Sequence, residues 1–402
     1  MPAPPLTAAA LYRSPNALAP EYSRFRVAER LLLTGHSHQA WPDAGLAAQE
    51  QAWLDAAALV DEKWGRAEEE AERVRAGWRR LLGEPKAEIA LGQNTHELVV
   101  RLLSALPLAE RPRLLTTDAE FHTIRRQLDR LAEAGVEVVR VAGRPVDTLA
   151  SRLAAAIDDR TAGCLVSSVQ FDTASIVPRL GIVAGACLHH GAVCLIDAYH
   201  HLNVVPFDVT LMGLESAFIT GGGYKYCQLG EGNCFLRVPP GCTLRPVITG
   251  WFAEFAALDR TGPRAAVDYG TGAARFAGAT YDPTAHYRAG AVFAFHQARG
   301  LTPGLLREVS RHQVGRLHER FEQLGVDPAV AHVEPVPPDQ RAGFLAIRAP
   351  QAAEICRLVR TRGVLADARG DVLRLGPAPY LTDDQLDEAI ARLGEAVGTL
   401  TT

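Results

Sequence analysis

At 402 residues, with 48% hydrophobic and 22% charged side chains, the chain is long enough for two domains or for one large α/β body with an appendage. A formal net charge of −4 gives no electrostatic reason to expect nucleic acid or an acidic membrane surface as partner. No run approaches the roughly 18 apolar residues of a membrane helix, and seven scattered cysteines without a CxxC pair read as reduced small hydrophobes of a cytoplasmic protein.

Residues 1–43 carry prolines and polar breaks, with no basic stretch leading into an apolar run. They read as an irregular N-terminal arm and not as a signal peptide. AGLAAQEQAWLDAAALV from residue 44 and KWGRAEEEAERVRAGWRRLLG from residue 63 have helical composition and spacing. Strand-like and helical runs then alternate. RLLTTD, VEVVRV, GCLVSSV and AVCLID are strand-like, and RRQLDRLAEAG, LASRLAAAI and GIVAGACLHHG between them are helical. AFITGG and NCFLRVP follow as two more short apolar runs. This order predicts an α/β fold, a mostly parallel sheet flanked by helices, filling a large domain over 44–290. From 291 to 402 the character changes to a smaller α+β domain. It has one long helix over TPGLLREVSRHQVGRLHERFEQLG, a strand at FLAIRAP, a helix at AEICRLVRTRG, a hairpin of VLADA with VLRLG, and a last helix from DDQLDEAIARLGEAV.

Chemistry concentrates at two strand ends, where ligands bind in sheets of this kind. Asp197 closes AVCLID, His200 follows three residues on, and Lys225 lies 28 positions after Asp197 within TGGGYKYC. A strand-end aspartate also caps turns. A glycine-flanked lysine is a surface charge, a phosphate contact, or an amine held for carbonyl chemistry. Taken together they suggest pyridoxal phosphate, which needs a lysine for covalent attachment and a carboxylate for its pyridine nitrogen. In LGQNTHELVVRLLSAL, Asn94 and Thr95 precede an apolar-periodic helix. That is either a plain N-cap with Glu97 or a helix N-terminus that receives the phosphate.

On these residues the chain resembles the pyridoxal-phosphate enzymes of fold type I in the class V aminotransferase group, and among them kynureninase, from about residue 30 to the end. The resemblance implies that Lys225 is the Schiff-base lysine, that Asp197 meets the pyridine nitrogen and that His200 lies by the phenolic oxygen. It implies that Tyr224 reaches the phosphate, with Tyr224 or a bound water as the proton relay, that Asn94 and Thr95 hold the phosphate, that Phe121 stacks on the ring, and that Ser167 lies near it. TGW at 249–251, FAGATYDPT and GVLADARGDVLRLGPAPYLT resemble three later stretches of the family. By that likeness Trp251 and Thr280 contact the cofactor across a homodimer with shared active sites, and Arg374 binds the substrate α-carboxylate. The implied reaction is hydrolytic Cβ–Cγ cleavage of L-kynurenine, or 3-hydroxykynurenine, to anthranilate or its 3-hydroxy form and L-alanine, a step of tryptophan degradation.

The chain departs from the family in GHSHQ at 35–39, in YCQLGEG after the lysine and in FAEF after the tryptophan. These lie on the substrate side, so a β-lyase, desulfurase or aminotransferase acting on another amino acid stays open, as does a non-catalytic binding protein with this fold. A desulfurase needs a nucleophilic cysteine on a C-terminal loop, whereas Cys356 falls in a helical run and no cysteine follows it. His36 and His38 form a loop at the substrate entrance or are ordinary loop histidines, and no metal site is expected.

Overall fold

The computed structural model describes residues 6–257 and 266–401. The N-terminal segment contains a short helix, α1 (Ala8–Tyr12), two 3₁₀ turns and a two-residue strand, β1 (Leu31–Leu32). Helices α2 (Ala44–Leu59) and α3 (Lys63–Leu81) follow. Then come β2 (Glu88–Gly92), α4 (Thr95–Ser104), β3 (Arg113–Thr117), α5 (His122–Glu133), β4 (Glu137–Val141), α6 (Leu149–Ala156), β5 (Thr161–Ser167), α7 (Leu180–His189), β6 (Val193–Asp197), β7 (Phe218–Gly222) and β8 (Cys234–Val238).

The central sheet has seven strands in the order β2-β8-β7-β6-β5-β3-β4. The pairs from β4 through to β7 are parallel, while β8 runs antiparallel to both β7 and β2. All seven residues of β5 are buried, the pattern of a strand covered on both faces. Alternation splits its side chains. Cys164 and Val166 join Cys194 and Ile196 of β6 against α3, α6 and α7, while Leu165 and Leu195 face α4 and α5. The mostly parallel sheet flanked by helices is therefore as expected. β2 was not foreseen, and neither was the reversed direction of β8.

Helices α8 (Thr284–Ala298) and α9 (Pro303–Gln323) lead to a second sheet of β9 (His332–Val333), β10 (Leu345–Arg348), β12 (Asp367–Arg369) and β13 (Val372–Leu375), in the order β12-β13-β10-β9. Helices α10 (Ala352–Thr361) and α11 (Asp383–Thr401) complete this part, with β11 (Val364–Leu365) after α10. The expected hairpin of 364–368 with 372–376 is shorter in the structure. Val364 and Leu365 pair in parallel with Leu31 and Leu32 of β1, and only Asp367–Arg369 pairs with β13. The N-terminal segment is correspondingly well packed. Its Leu11, Leu18, Tyr22 and Leu33 share one core with Leu317, Leu386 and Leu393.

Helix α3 packs on α8 through Gly77, where a Cβ would stand 2.2 Å from the Phe293 ring. A Cβ at Gly65 on the same helix would meet nothing within 4 Å. Gly77→Ala should lower stability by about 1–3 kcal/mol through overpacking, against a helix-propensity gain of about 1 kcal/mol. Gly65→Ala should raise stability by roughly 0.5–1 kcal/mol. Urea midpoints of the two variants, moving in opposite directions, check this.

Candidate active site

A cavity of about 390 Å³ opens at the carboxyl ends of the central strands. Asp197 and Ser167 end neighbouring strands and stand opposite each other in register. Asp197 is buried and accepts the Tyr199 backbone N–H at 2.8 Å, and burial raises its pKa. Lys225, one of only three lysines in the chain, is 4% exposed. Its Nζ lies 2.7 Å from His200 Nε2, and 4.6, 5.0 and 5.8 Å from the ring centres of Tyr199, Phe121 and Tyr224.

Burial drives the Lys225 ammonium down to about 7. The attraction of Asp197 opposes this and Arg374 reinforces it. His200 is pushed well below its ordinary range by burial and then by the Lys225 charge, so it stands neutral. As a neutral ring it accepts from Lys225 at Nε2, and its buried Nδ1 has no hydrogen-bond partner among the described residues. Burial raises the Tyr224 phenol to about 12, so it keeps its proton at neutral pH.

The three glycines before Tyr224 owe their place to close packing. None of them has a positive φ. A Cβ at Gly222 would stand 2.4 Å from the Tyr199 hydroxyl and 2.5 Å from Cys234 Sγ, and one at Gly223 would stand 2.6 Å from Leu229 Cβ. Glycine at 222 thus lets Tyr199 lie against the strand and roof the lysine.

Across the cavity, Asn94 caps α4, accepting the Glu97 N–H at 2.9 Å and donating to the Glu97 carboxylate at 3.0 Å. The helix N-terminus with Gln93, Asn94, Thr95 and His96 forms part of the cavity wall. Backbone N–H groups at such an end suit a phosphate.

The cavity wall thus includes Asn94, Thr95, Phe121, Ser167, Asp197, His200, Tyr224 and Lys225. The other expected residues lie elsewhere. His36 is fully buried, and its Nε2 sits 2.8 Å from Asp367. Burial pulls His36 down to about 4, so the neutral ring donates to Asp367. His38 is exposed and stacks on Tyr224 at 4.8 Å, with Glu231 3.8 Å from its Nε2. The two histidines therefore do not share one wall.

Arg374 is 3% exposed. Its Nε and Nη2 pair with the two oxygens of Asp367, and Nη1 donates to the Phe171 carbonyl at 2.8 Å. Although burial pushes the other way, His36 and Arg374 hold the Asp367 carboxyl well below the usual range. Trp251 is 46% exposed, Thr280 is exposed, and neither lies in this cavity wall.

Two acids here escaped the sequence reading. Asp367 is the direct cross-strand partner of Arg374 in the β12–β13 pair. Glu120 precedes Phe121 and is 2% exposed, with both of its oxygens bonded to Ser167. Glu120 is the chain neighbour of Phe121, and Asp367 stands in the stretch GVLADARGDVLRLGPAPYLT already quoted.

The groups present fit pyridoxal phosphate. They comprise a buried amine, a buried carboxylate at the neighbouring strand end, an unpartnered imidazole nitrogen, an aromatic wall and a helix N-terminus.

Residues 306–393 match the family model of the kynureninase C-terminal domain. Over most of its length the chain is similar to two curated proteins. It is 23% identical over 346 residues to the uncharacterized aminotransferase YcbU of Bacillus subtilis (strain 168), covering 85% of this chain and 87% of that protein. It is 27% identical over 348 residues to isopenicillin N epimerase of Streptomyces clavuligerus, covering 82% and 84%. Among solved structures, a C-DES mutant with glycine covalently linked to its PLP cofactor superimposes with a TM-score of 0.79, at 16% identity over 93% of this chain and 98% of that one. The architecture is that of fold type I, and the relatives that share it differ in reaction.

The depressed Lys225 value carries a test. Only the unprotonated amine attacks an acylating reagent, so labelling of Lys225 in the cofactor-free protein should be half-maximal near pH 7. Peptide mapping separates it from Lys63 and Lys86. A Lys225 unreactive until about pH 10, where an ordinary lysine titrates, would contradict the geometry.

Proposed function

We propose that this chain is a pyridoxal-phosphate enzyme of the class V aminotransferase group, acting on an α-amino acid, and that its reaction is hydrolytic Cβ–Cγ cleavage of kynurenine or 3-hydroxykynurenine. The observation that carries the cofactor reading is the buried Lys225 amine, drawn down to about 7 and set beside the Asp197 strand end. Lys225 would hold the cofactor through its amine, Asp197 its pyridine nitrogen, and the start of α4 its phosphate, with Phe121 against the ring. The cofactor supplies an electron sink for the carbon that loses its proton.

Lys225, freed when substrate binds, is the base at Cα. Its low proton affinity suits both roles, because about half of it is unprotonated at neutral pH and it is still able to accept a proton. Tyr224, protonated at neutral pH, is the donor on the same side. Arg374 is the group for the substrate carboxylate. A guanidinium has five N–H groups. Asp367 and Phe171 engage three of those on Arg374, which leaves two for the substrate. Asp367 then acts as the clamp that holds the guanidinium plane.

The kynurenine reading is supported by the matched C-terminal family model, which spans Asp367 and Arg374, and by the aromatic wall of Phe121, Phe171, Tyr199 and Tyr224. A desulfurase would need a reactive thiolate. Cys234 lines the cavity but is pushed up to about 12 by burial, and Cys356 donates to the Ala366 carbonyl from α10 with a raised pKa. Neither is disposed as a nucleophile.

The experiment is incubation of the holoprotein with L-kynurenine, reading anthranilate by fluorescence and L-alanine in equal amount. Kynurenine left unconsumed, with sulfide released from L-cysteine in a parallel incubation, would replace the hydrolytic reading with a lyase acting on another amino acid. Arg374→Lys keeps a charge for Asp367 but loses the planar fork. It should raise KM about tenfold or more with kcat little changed. An unchanged KM would move the carboxylate site elsewhere.

A homodimer completes the proposal. Val247, Ile248, Trp251 and Phe255 are all exposed within one short stretch, at 82%, 53%, 46% and 60%. An apolar face of that density fits a second copy in isologous contact. Mixing inactive Lys225→Ala and inactive Trp251→Ala proteins should restore part of the activity through hybrid sites. Mixtures as dead as their parents would exclude sharing.

A further inference from the structure

Glu120 has no part in the chemistry above, yet it is 2% exposed and directly behind the cavity. Three donors converge on it. Oε2 accepts the Ser167 hydroxyl at 2.7 Å, and Oε1 accepts the Ser167 backbone N–H at 2.9 Å and the Thr117 hydroxyl at 3.0 Å. The Thr117 oxygen accepts the Ala119 N–H, so its own proton is free to go to Glu120. The backbone N–H can only donate, and once Glu120 is ionised, above the value of about 7 to which burial raises it, both hydroxyls must donate to it as well.

A serine hydroxyl has one proton and two lone pairs. Once that proton is given to Glu120, Ser167 has only lone pairs left for the cavity. Ser167 lines the cavity and stands opposite Asp197 in the β5–β6 register. Glu120 also adjoins Phe121 in the chain, so one carboxylate ties the end of β5 to the loop that carries the aromatic wall.

We propose that Glu120 is a positioning residue that fixes Ser167 as a hydrogen-bond acceptor beside Asp197, so that the cavity receives a donor group at this edge. For the identity of that group the inference rests on the cofactor reading, since the donor carried by the pyridoxal ring itself is its protonated nitrogen. Ser167 and Asp197 then make a two-acceptor edge, and Glu120 sets the polarity of one half of it.

Glu120→Gln tests the polarity directly. The amide oxygen replaces Oε1 and keeps the Ser167 and Thr117 donors, while the amide nitrogen replaces Oε2 and donates to Ser167. The serine proton is then turned into the cavity with the shape unchanged. Work at about pH 8.5 keeps the parent glutamate ionised, above the value of about 7 to which burial raises it.

The expected result is an affinity of the cofactor-free protein for pyridoxal 5′-phosphate weakened about tenfold to a hundredfold, with a displaced visible absorption maximum of the bound cofactor. In a Ser167→Ala background, Glu120→Gln should add less than about twofold. An unmoved band and affinity in Glu120→Gln, or equal losses with and without Ser167, would overturn the proposal. Should Glu120→Gln not fold, soluble Ser167→Ala must itself move the band, and an unmoved band there is equally fatal. A parent protein that takes up no pyridoxal phosphate ends the cofactor reading and this inference together. A parent that binds it beside an indifferent Glu120→Gln ends this inference alone.

Discussion

Removing the Lys225 amine from water is the constraint around which the site is built. A charged ammonium at 4% exposure is costly unless paired, and the groups around Lys225 pull in opposite directions. Asp197 favours the charged form, while burial among Tyr199, Phe121 and Tyr224 and the field of Arg374 favour the neutral one. Burial wins, and the amine falls to about 7. Aromatic faces are tolerant neighbours for both forms, since their quadrupoles attract a cation and their carbon surface accepts an amine. Gly222 belongs to the same arrangement, because any side chain there would displace Tyr199 from over the lysine.

The neighbouring charges are kept apart by different means. Asp367 is paired with Arg374 and tied to a neutral His36, and at Lys225 the two charges act in opposite senses, Arg374 lowering the amine's proton affinity and Asp367 raising it. Glu120 is surrounded by donors, and its charge is spread over three hydrogen bonds. Asp197 has one backbone donor and no side-chain bond, so its carboxylate is the one left to meet a ligand. Burial pushes the carboxyls of all three acids upward, and what each accepts from separates their fates.

Legibility in the sequence followed locality. Asp197 and Lys225 stood out because an apolar run ends in an acid, and because a lone lysine in an arginine-rich chain sits behind three glycines. The alternation of strand and helix runs carried the parallel sheet for the same reason. β2 was hidden because EIALG is short and adjoins the start of α4, whose cap dominates the pattern. The direction of β8 depends on which edge it joins, a long-range choice with no local mark. The N-terminal segment looked irregular because its buried Leu11, Leu18 and Tyr22 lie in a five-residue helix, at a helix cap and inside a 3₁₀ turn, and follow neither helical nor strand period. Asp367 was missed through register. With VLADA read as one continuous strand, nothing set it opposite Arg374, whereas the short Asp367–Arg369 strand does so directly.

This division of labour also separates what the fold supplies from what the reaction needs. The lysine, the aspartate, the serine and the helix N-terminus all come from the central sheet and its first crossover, and such strand-end positions follow from the topology itself. The opposite side is assembled from distant pieces. His36 and His38 come from the N-terminal segment, Phe344 and Arg374 come from the C-terminal part, and Phe344 lies between the His36 and His200 rings at 4.9 and 6.0 Å. The His36–Asp367 bond and the β1–β11 pairing bind those pieces to each other. The Lys225 side thus follows from the topology, whereas the Arg374 side depends on contacts between segments far apart in sequence.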